Sequence, residues 1–128
     1  MKIIGIDYGR SKMGIAIADG PLAAPVKVFR YKEASIVAEQ IVRFIKENNI
    51  EKVVIGVSEG LMGEESKKFS LNFKKMVDIP VETSDETLST QDAKILSREA
   101  GIKQKKRHEM EDAYAASIML QNFLDNNL

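Results

Sequence analysis

Cysteine is absent from this chain, and with it go disulfides, thiolate catalysis and cysteine-ligated zinc or iron–sulfur sites. The absence also fits a reducing compartment. Histidine occurs once, as His108, so a Ser-His-Asp triad has a single route, and no G-x-S-x-G elbow accompanies it. Neither G-x-x-x-x-G-K-[ST] nor G-x-G-x-x-G occurs, which leaves no nucleotide-binding loop of those kinds. No charge of one sign dominates: 19 basic and 19 acidic residues give zero net charge, without the basic excess of a dedicated nucleic-acid binder. No apolar run approaches the ~20 residues that span a bilayer. Met1-Lys2 leads straight into a strand-like segment with no signal-peptide pattern. The expectation is a soluble cytoplasmic protein with no membrane contact. Repeats, low-complexity stretches and linkers rich in Pro, Gly or Ser are lacking too, and 128 residues fit one domain spanning 1–128. A domain near this size buries roughly two-thirds of its unfolded surface, enough for a core without staples.

What is present is a run of alternating element signals. Residues 2–8 read as a first strand, Gly9 to Lys12 as a tight turn, and Met13 to Ala18 as a second strand paired antiparallel with the first. Asp19-Gly20-Pro21 breaks the chain, and Val26 to Tyr31 reads as a third strand. Then the period changes. Ala34, Val37, Ala38, Ile41, Phe44 and Ile45 recur at helical spacing, and this amphipathic helix ends near Asn48-Asn49. Lys52 to Val57 is a continuous apolar strand of the parallel, buried kind. Gly60 to Gly63 reads as loop, Glu64 to Val77 as a second helix with Phe69 and Phe73 inward, and Pro80 to Thr83 as a fifth strand. Ser89 is placed to cap a third helix that stops at Gly101. A basic loop and a last helix over 109–125 follow, its buried stripe carrying Ala113, Ala116, Leu120, Phe123 and Leu124. An antiparallel meander feeding parallel βα units predicts an α/β fold, a mixed sheet flanked by helices.

The chemistry points to acids that interrupt apolar patterns. Asp7 ends the run Ile3-Ile4-Gly5-Ile6, where a carboxylate is costly to bury unless a cation compensates it. Asp85-Glu86 follows the fifth strand, and Asp112 lies early in the last helix, where Ala113, Ala115 and Ala116 allow close approach. With strands one and five both expected to be central, these acids would converge as a hard-cation site suited to Mg²⁺ or Mn²⁺. Each has a plainer reading: a turn hydrogen bond for Asp7, a cap or turn for Asp85, solvated surface for Glu86, and the helix dipole for Asp112. The dipole reading is preferred for Glu109 and Glu111, and Glu59 stands as a reserve ligand. Lys103, Lys105, Lys106 and Arg107 crowd one short segment, and Arg10-Ser11-Lys12 forms the first turn. Both suit phosphate, against the alternative of solvated surface.

The segment Gly5-Ile6-Asp7-Tyr8-Gly9-Arg10-Ser11-Lys12-Met13-Gly14-Ile15-Ala16 resembles the opening motif of the YqgF (RuvX-type) family of the RNase H-like superfamily. Asp85 to Ala93 resembles its second motif, and Glu111 to Ala116 with Leu120 to Leu124 its third. The resemblance covers essentially the whole chain. It implies a five-stranded mixed sheet with the first three strands antiparallel, and a single nuclease domain. It implies Mg²⁺ or Mn²⁺, two ions with substrate bound, held by Asp7, Glu86 and Asp112. It implies a nuclease that matures the 5′ end of the 16S ribosomal RNA precursor or resolves branched DNA; a two-fold branched substrate would suit a homodimer, with a monomer as the alternative. Thr87 stands where the family commonly has arginine, and Gly56-Val57-Ser58-Glu59 replaces a usual Gly-Leu-Pro loop. Two rivals come from other classes: a nucleotide-binding half of the actin and sugar-kinase type, and a non-catalytic module for ribosomal RNA.

Overall fold

Isoleucine and valine start the fold, because β-branched side chains pack well on a pleated surface. The computed structural model describes residues 1–57, 60–85 and 104–126, with the backbone only at 60–62, 85 and 104–108. β1 (Lys2–Asp7) is followed by β2 (Lys12–Asp19) and β3 (Ala23–Arg30), each antiparallel to the strand before it. Helix α1 (Ala34–Glu47) leads to β4 (Lys52–Val57), and α2 (Gly60–Lys74) leads to β5 (Val81–Asp85). β4 is parallel to β1, and β5 is parallel to β4. The last helix, α3, runs from Gln104 to Asn126. The sheet order is β3-β2-β1-β4-β5. This is the expected five-stranded mixed sheet with its first three strands antiparallel.

Strand alternation divides the core into two layers. Ile4, Ile6, Met13, Ile15, Val53 and Ile55 face one way and pack with Val37 and Ile41 of α1 and Phe69 and Phe73 of α2. Ile3, Ala16, Ala18 and Val54 face the other way, against Ala116, Met119, Leu120 and Phe123 of α3. The α3 face of the sheet is built from small residues. A Cβ at Gly5 would stand 3.0 Å from the Leu120 Cβ and 3.3 Å from the Ala116 carbonyl oxygen, so the helix rests almost on the strand backbone. The far end of α3 is pinned by Gln121. Its Oε1 accepts from the Ala23 amide at 2.8 Å, and its Nε2 donates to the Pro21 carbonyl at 2.9 Å.

Several expectations are corrected. β5 lies at the edge rather than the centre, because each parallel unit adds its strand outward and β4 takes the place beside β1. Helix α2 begins at Gly60, not Glu64, and ends at Lys74. Glycines at 60 and 63 lower helix propensity by ~1 kcal/mol each, yet context overrides them, and Ser66 Oγ donates to the Gly63 carbonyl at 2.9 Å. Its last turn tightens, with the Met76 amide bonded to the Phe73 carbonyl at 2.9 Å. β3 begins at Ala23 rather than Val26 and accepts Pro25 because it is an edge strand, with the register shift at Ile15/Ala16 beside it. The basic stretch is not a loop at 104–107. Gln104 to Arg107 are the opening turns of α3, which strong helix formers favour. The helix expected over 89–100 lies outside the described residues. No described helix is long and apolar enough to cross a membrane.

Candidate active site

Asp7 is the last residue of the central strand β1 and is 8% exposed. It pairs in register with Gly14 of β2 on one side and Gly56 of β4 on the other, so neither neighbour offers a side chain beside it. By strand alternation Asp7 shares the face of Gly5, on the side covered by α3. Helix α3 reaches that level of the sheet at Asp112. A Cβ on Gly14 would overlap the Asp112 carbonyl group and stand 2.7 Å from the Ala113 nitrogen. The backbone of position 112 therefore lies against the residue directly opposite Asp7. Of the expected acids, positions 7 and 112 lie at the same level of the sheet.

Asp112 is not placed as a helix-terminal acid. It is nine residues into the α3 helix counted from Gln104, beyond the reach of the terminal dipole. Its side chain is 28% exposed, but Oδ2 is buried and accepts no hydrogen bond from any described residue. The Lys12 ammonium lies 3.2 Å away and compensates it by charge. A buried carboxylate oxygen with no aligned donor is costly and is relieved by a cation.

The loop after Asp7 is held on three sides. The Tyr31 hydroxyl donates to the Gly9 carbonyl, and the Tyr31 amide donates to the Ser11 carbonyl at 2.9 Å. The Tyr8 ring packs on Phe69 at 5.4 Å between centroids. Arg10 Nε donates to Glu65 Oε2 of α2 at 3.0 Å, and that bond, with the charge of Glu65, raises the guanidinium pKa. Burial, then the charge and hydrogen bonding of Tyr8, push the Tyr31 hydroxyl up to about 12 from its ordinary 10. Tyr31 and Glu65 were not singled out from the sequence; an isolated tyrosine or an exposed helical acid carries no local signal. Gly14 did carry one, since a glycine inside a strand marks close backbone approach.

The remaining site residues fall differently. Glu86, Glu59 and Lys103 lie outside the described residues. Lys105, Lys106, Arg107 and His108 belong to the first turns of α3, described by backbone alone. Asp85 is the last residue of β5 and pairs with Val57, one place past Gly56, so it is one residue out of step with Asp7. No group of three metal-ligating side chains forms among the described residues. Arg10 and Lys12 are engaged with Glu65 and Asp112, and Ser11 is exposed.

Comparison with known proteins gives consistent matches. The model of the RuvX family, described as Holliday junction resolvase, matches residues 1–126. A protein of Oceanobacillus iheyensis named "putative pre-16S rRNA nuclease" is 35% identical over 135 residues, covering 98% of each chain. A protein of the same name from Leuconostoc mesenteroides is 34% identical over 137 residues, covering 98% of this chain and 96% of its own. Among solved structures, RuvC of Thermus thermophilus in complex with a Holliday junction substrate superimposes with a TM-score of 0.64 at 14% identity, covering 99% of this chain and 96% of that one. The fowlpox virus resolvase, solved with Holliday junction DNA, gives 0.65 at 14% identity, covering 100% and 99%. At that identity the two structures speak to the fold alone.

Proposed function

Because the chain belongs to the RuvX family, we propose that it is a divalent-metal-dependent endonuclease acting in 5′-end maturation of the 16S ribosomal RNA precursor. Its reaction class is hydrolysis of phosphodiester bonds. The observation that carries the reading is the buried Oδ2 of Asp112, which accepts no aligned hydrogen bond from any described residue and has the Lys12 ammonium at 3.2 Å, beside the strand position opposite Asp7. Hard oxygen donors of this kind fit Mg²⁺ or Mn²⁺. Asp7, Asp112 and Glu86 would hold the metal, with Glu86 preferred to Asp85 because Asp85 is out of step with Asp7. Bound there, such ions supply an activated water and neutralise charge on the leaving oxygen. The chain's own part is to fix the carboxylates: Gly14 admits the helix, and Tyr31 and Glu65 hold the loop that follows Asp7.

The family's description favours a second reading, a Holliday junction resolvase in DNA recombination and repair. A homodimer would suit a two-fold junction, whereas a monomer suffices for an RNA end. One experiment addresses both. A 16S precursor fragment and a four-way DNA junction are incubated with the protein in Mg²⁺, in Mn²⁺ and in chelator. Metal-dependent cutting of the RNA, lost to background in Asp7→Asn, is the expected result. Cutting of the junction alone transfers the assignment to the resolvase, and binding without turnover leaves a non-catalytic RNA module. Equal rates for Asp7→Asn and the parent would remove Asp7 from the chemistry.

A further inference from the structure

A polyanion beside two carboxylates needs cations that are not already spoken for. Arg10 is bonded to Glu65 and Lys12 is paired with Asp112. On the neighbouring strand, Arg30 stands directly opposite Lys12 in the β2–β3 register. Like charges opposite one another in an antiparallel pair destabilise it unless an anion intervenes. Asp112 serves Lys12, but among the described residues neither Arg30 nor Lys32 has an acidic partner within ion-pair distance. Both are exposed, and both line a groove of about 530 Å³ with Ser11, Tyr31 and Glu33 and with Ile36 and Gln40 of α1, at the hairpin end of the face opposite α3. That groove begins at the hairpin that follows Asp7, since Tyr31 is bonded to Ser11 and Gly9. Strands are ~4.8 Å apart, so two strand spacings place Arg30 about 10 Å across the sheet from β1. Glu33 is the acid lining the groove, and it sits at the N-cap of α1 without a side-chain capping bond.

We propose that Arg30 and Lys32 hold backbone phosphates of the nucleic-acid substrate, so that the strand leaving the carboxylates crosses the β1–β2 hairpin and follows the open end of β3. This rests on the nuclease reading and adds a path to it. The two side chains are positioning residues: they anchor the polymer and touch no reacting group.

The test is the salt dependence of binding, measured in the Asp7→Asn background so that no cleavage intervenes. The probes are the 16S precursor fragment and the four-way junction. Each phosphate contact contributes about 0.9 to the slope of log K against log salt on duplex DNA and about 0.7 on single strands. Arg30→Gln/Lys32→Gln is expected to lower the slope by roughly 1.4 to 1.8 on the probe it contacts. With Asp7 restored, the same pair should raise KM and leave kcat within about twofold, as loss of uniform binding does. Lys67→Gln/Lys68→Gln on α2 removes equal charge from exposed positions and should leave the slope unchanged. An unchanged slope in the Arg30/Lys32 variant overturns the path, as does an equal fall in the α2 control. If the parent binds neither probe, the nuclease reading fails first and the path falls with it.

Discussion

Gly14 and Asp112 meet backbone to backbone, with the Asp112 main-chain carbonyl occupying the space where any other residue at 14 would carry its Cβ. That contact sets the height of α3 above the sheet at the level of Asp7. Gly14→Ala must therefore lift the helix or bend the strand. Overpacking of this kind costs about 1–3 kcal/mol, read by urea denaturation. Cleavage should fall further than stability does, because the lift separates Asp112 from Asp7. A variant that is destabilised but cuts at the parent's rate would show that the two carboxylates do not act together.

Lys12 occupies the cation position at Asp112, 3.2 Å from its buried oxygen. If the proposed metal binds Asp112, Lys12→Gln removes its competitor. Both groups are partly exposed, so the pair is worth about 1 kcal/mol after solvent screening, and Mn²⁺ should bind on the order of fivefold more tightly by calorimetry. The metal-free variant should also melt at a lower temperature. Unchanged or weaker Mn²⁺ binding would mean that the ammonium does not hold the metal's place.

Tyr31 makes stability fall at high pH. Its folded pKa, about 12, lies above the unfolded value near 10, so its contribution is complete below pH 10 and is lost as pH rises toward 12. Allowing for its partial exposure, the loss is no more than about 1 kcal/mol. Tyr31→Phe should flatten the melting temperature between pH 10 and 12 and lower it by a further ~1 kcal/mol equivalent at neutral pH, through the lost bond to Gly9. In an absorbance titration, one tyrosine fewer should ionise late.

The register of β5 places Asp85 one residue past the position level with Asp7. Asp85 is out of step with Asp7, so Asp85→Asn should keep Mn²⁺ affinity within about threefold, while Glu86→Gln, which removes a ligand, lowers it by more than the ~10–100-fold that losing an outer-shell partner costs. Calorimetry on the two single variants decides the assignment, and a reversal of the order would move the ligand to position 85.

Much of the frame was legible because its signals are local. Ile3 to Ile6 and Val53 to Val57 are short β-branched runs, and the α1 stripe at Val37, Ala38, Ile41 and Ile45 keeps helical spacing and is buried. Placement was less legible, since strand order is a property of the whole chain: nothing within Val81–Asp85 marks it as an edge. Basic residues mislead in a similar way. Lysine and arginine are good helix formers as well as phosphate ligands, so Gln104 to Arg107 read as a loop on charge and fold as helix. Asp7 and Asp112 stood out because each breaks an apolar pattern. Arg30 and Lys32 did not, because a charge at or just past the end of an edge strand breaks nothing; their interest appears once Lys12 is seen opposite Arg30.

Helix α3 is a lever with its fulcrum at the wrong end for tolerance. Gln121 clamps it to the turn between β2 and β3, while Asp112 rides nine residues nearer the start. That arm is about 13 Å long, so a tilt of some 5° at the clamp swings the carboxylate by ~1 Å. A working ligand set needs alignment within ~0.5 Å. A tail-end glutamine, remote from position 112, thereby shares with the Gly14 contact in holding the helix, and Gln121→Ala is expected to lower cleavage through tilt rather than by removing a reactive group.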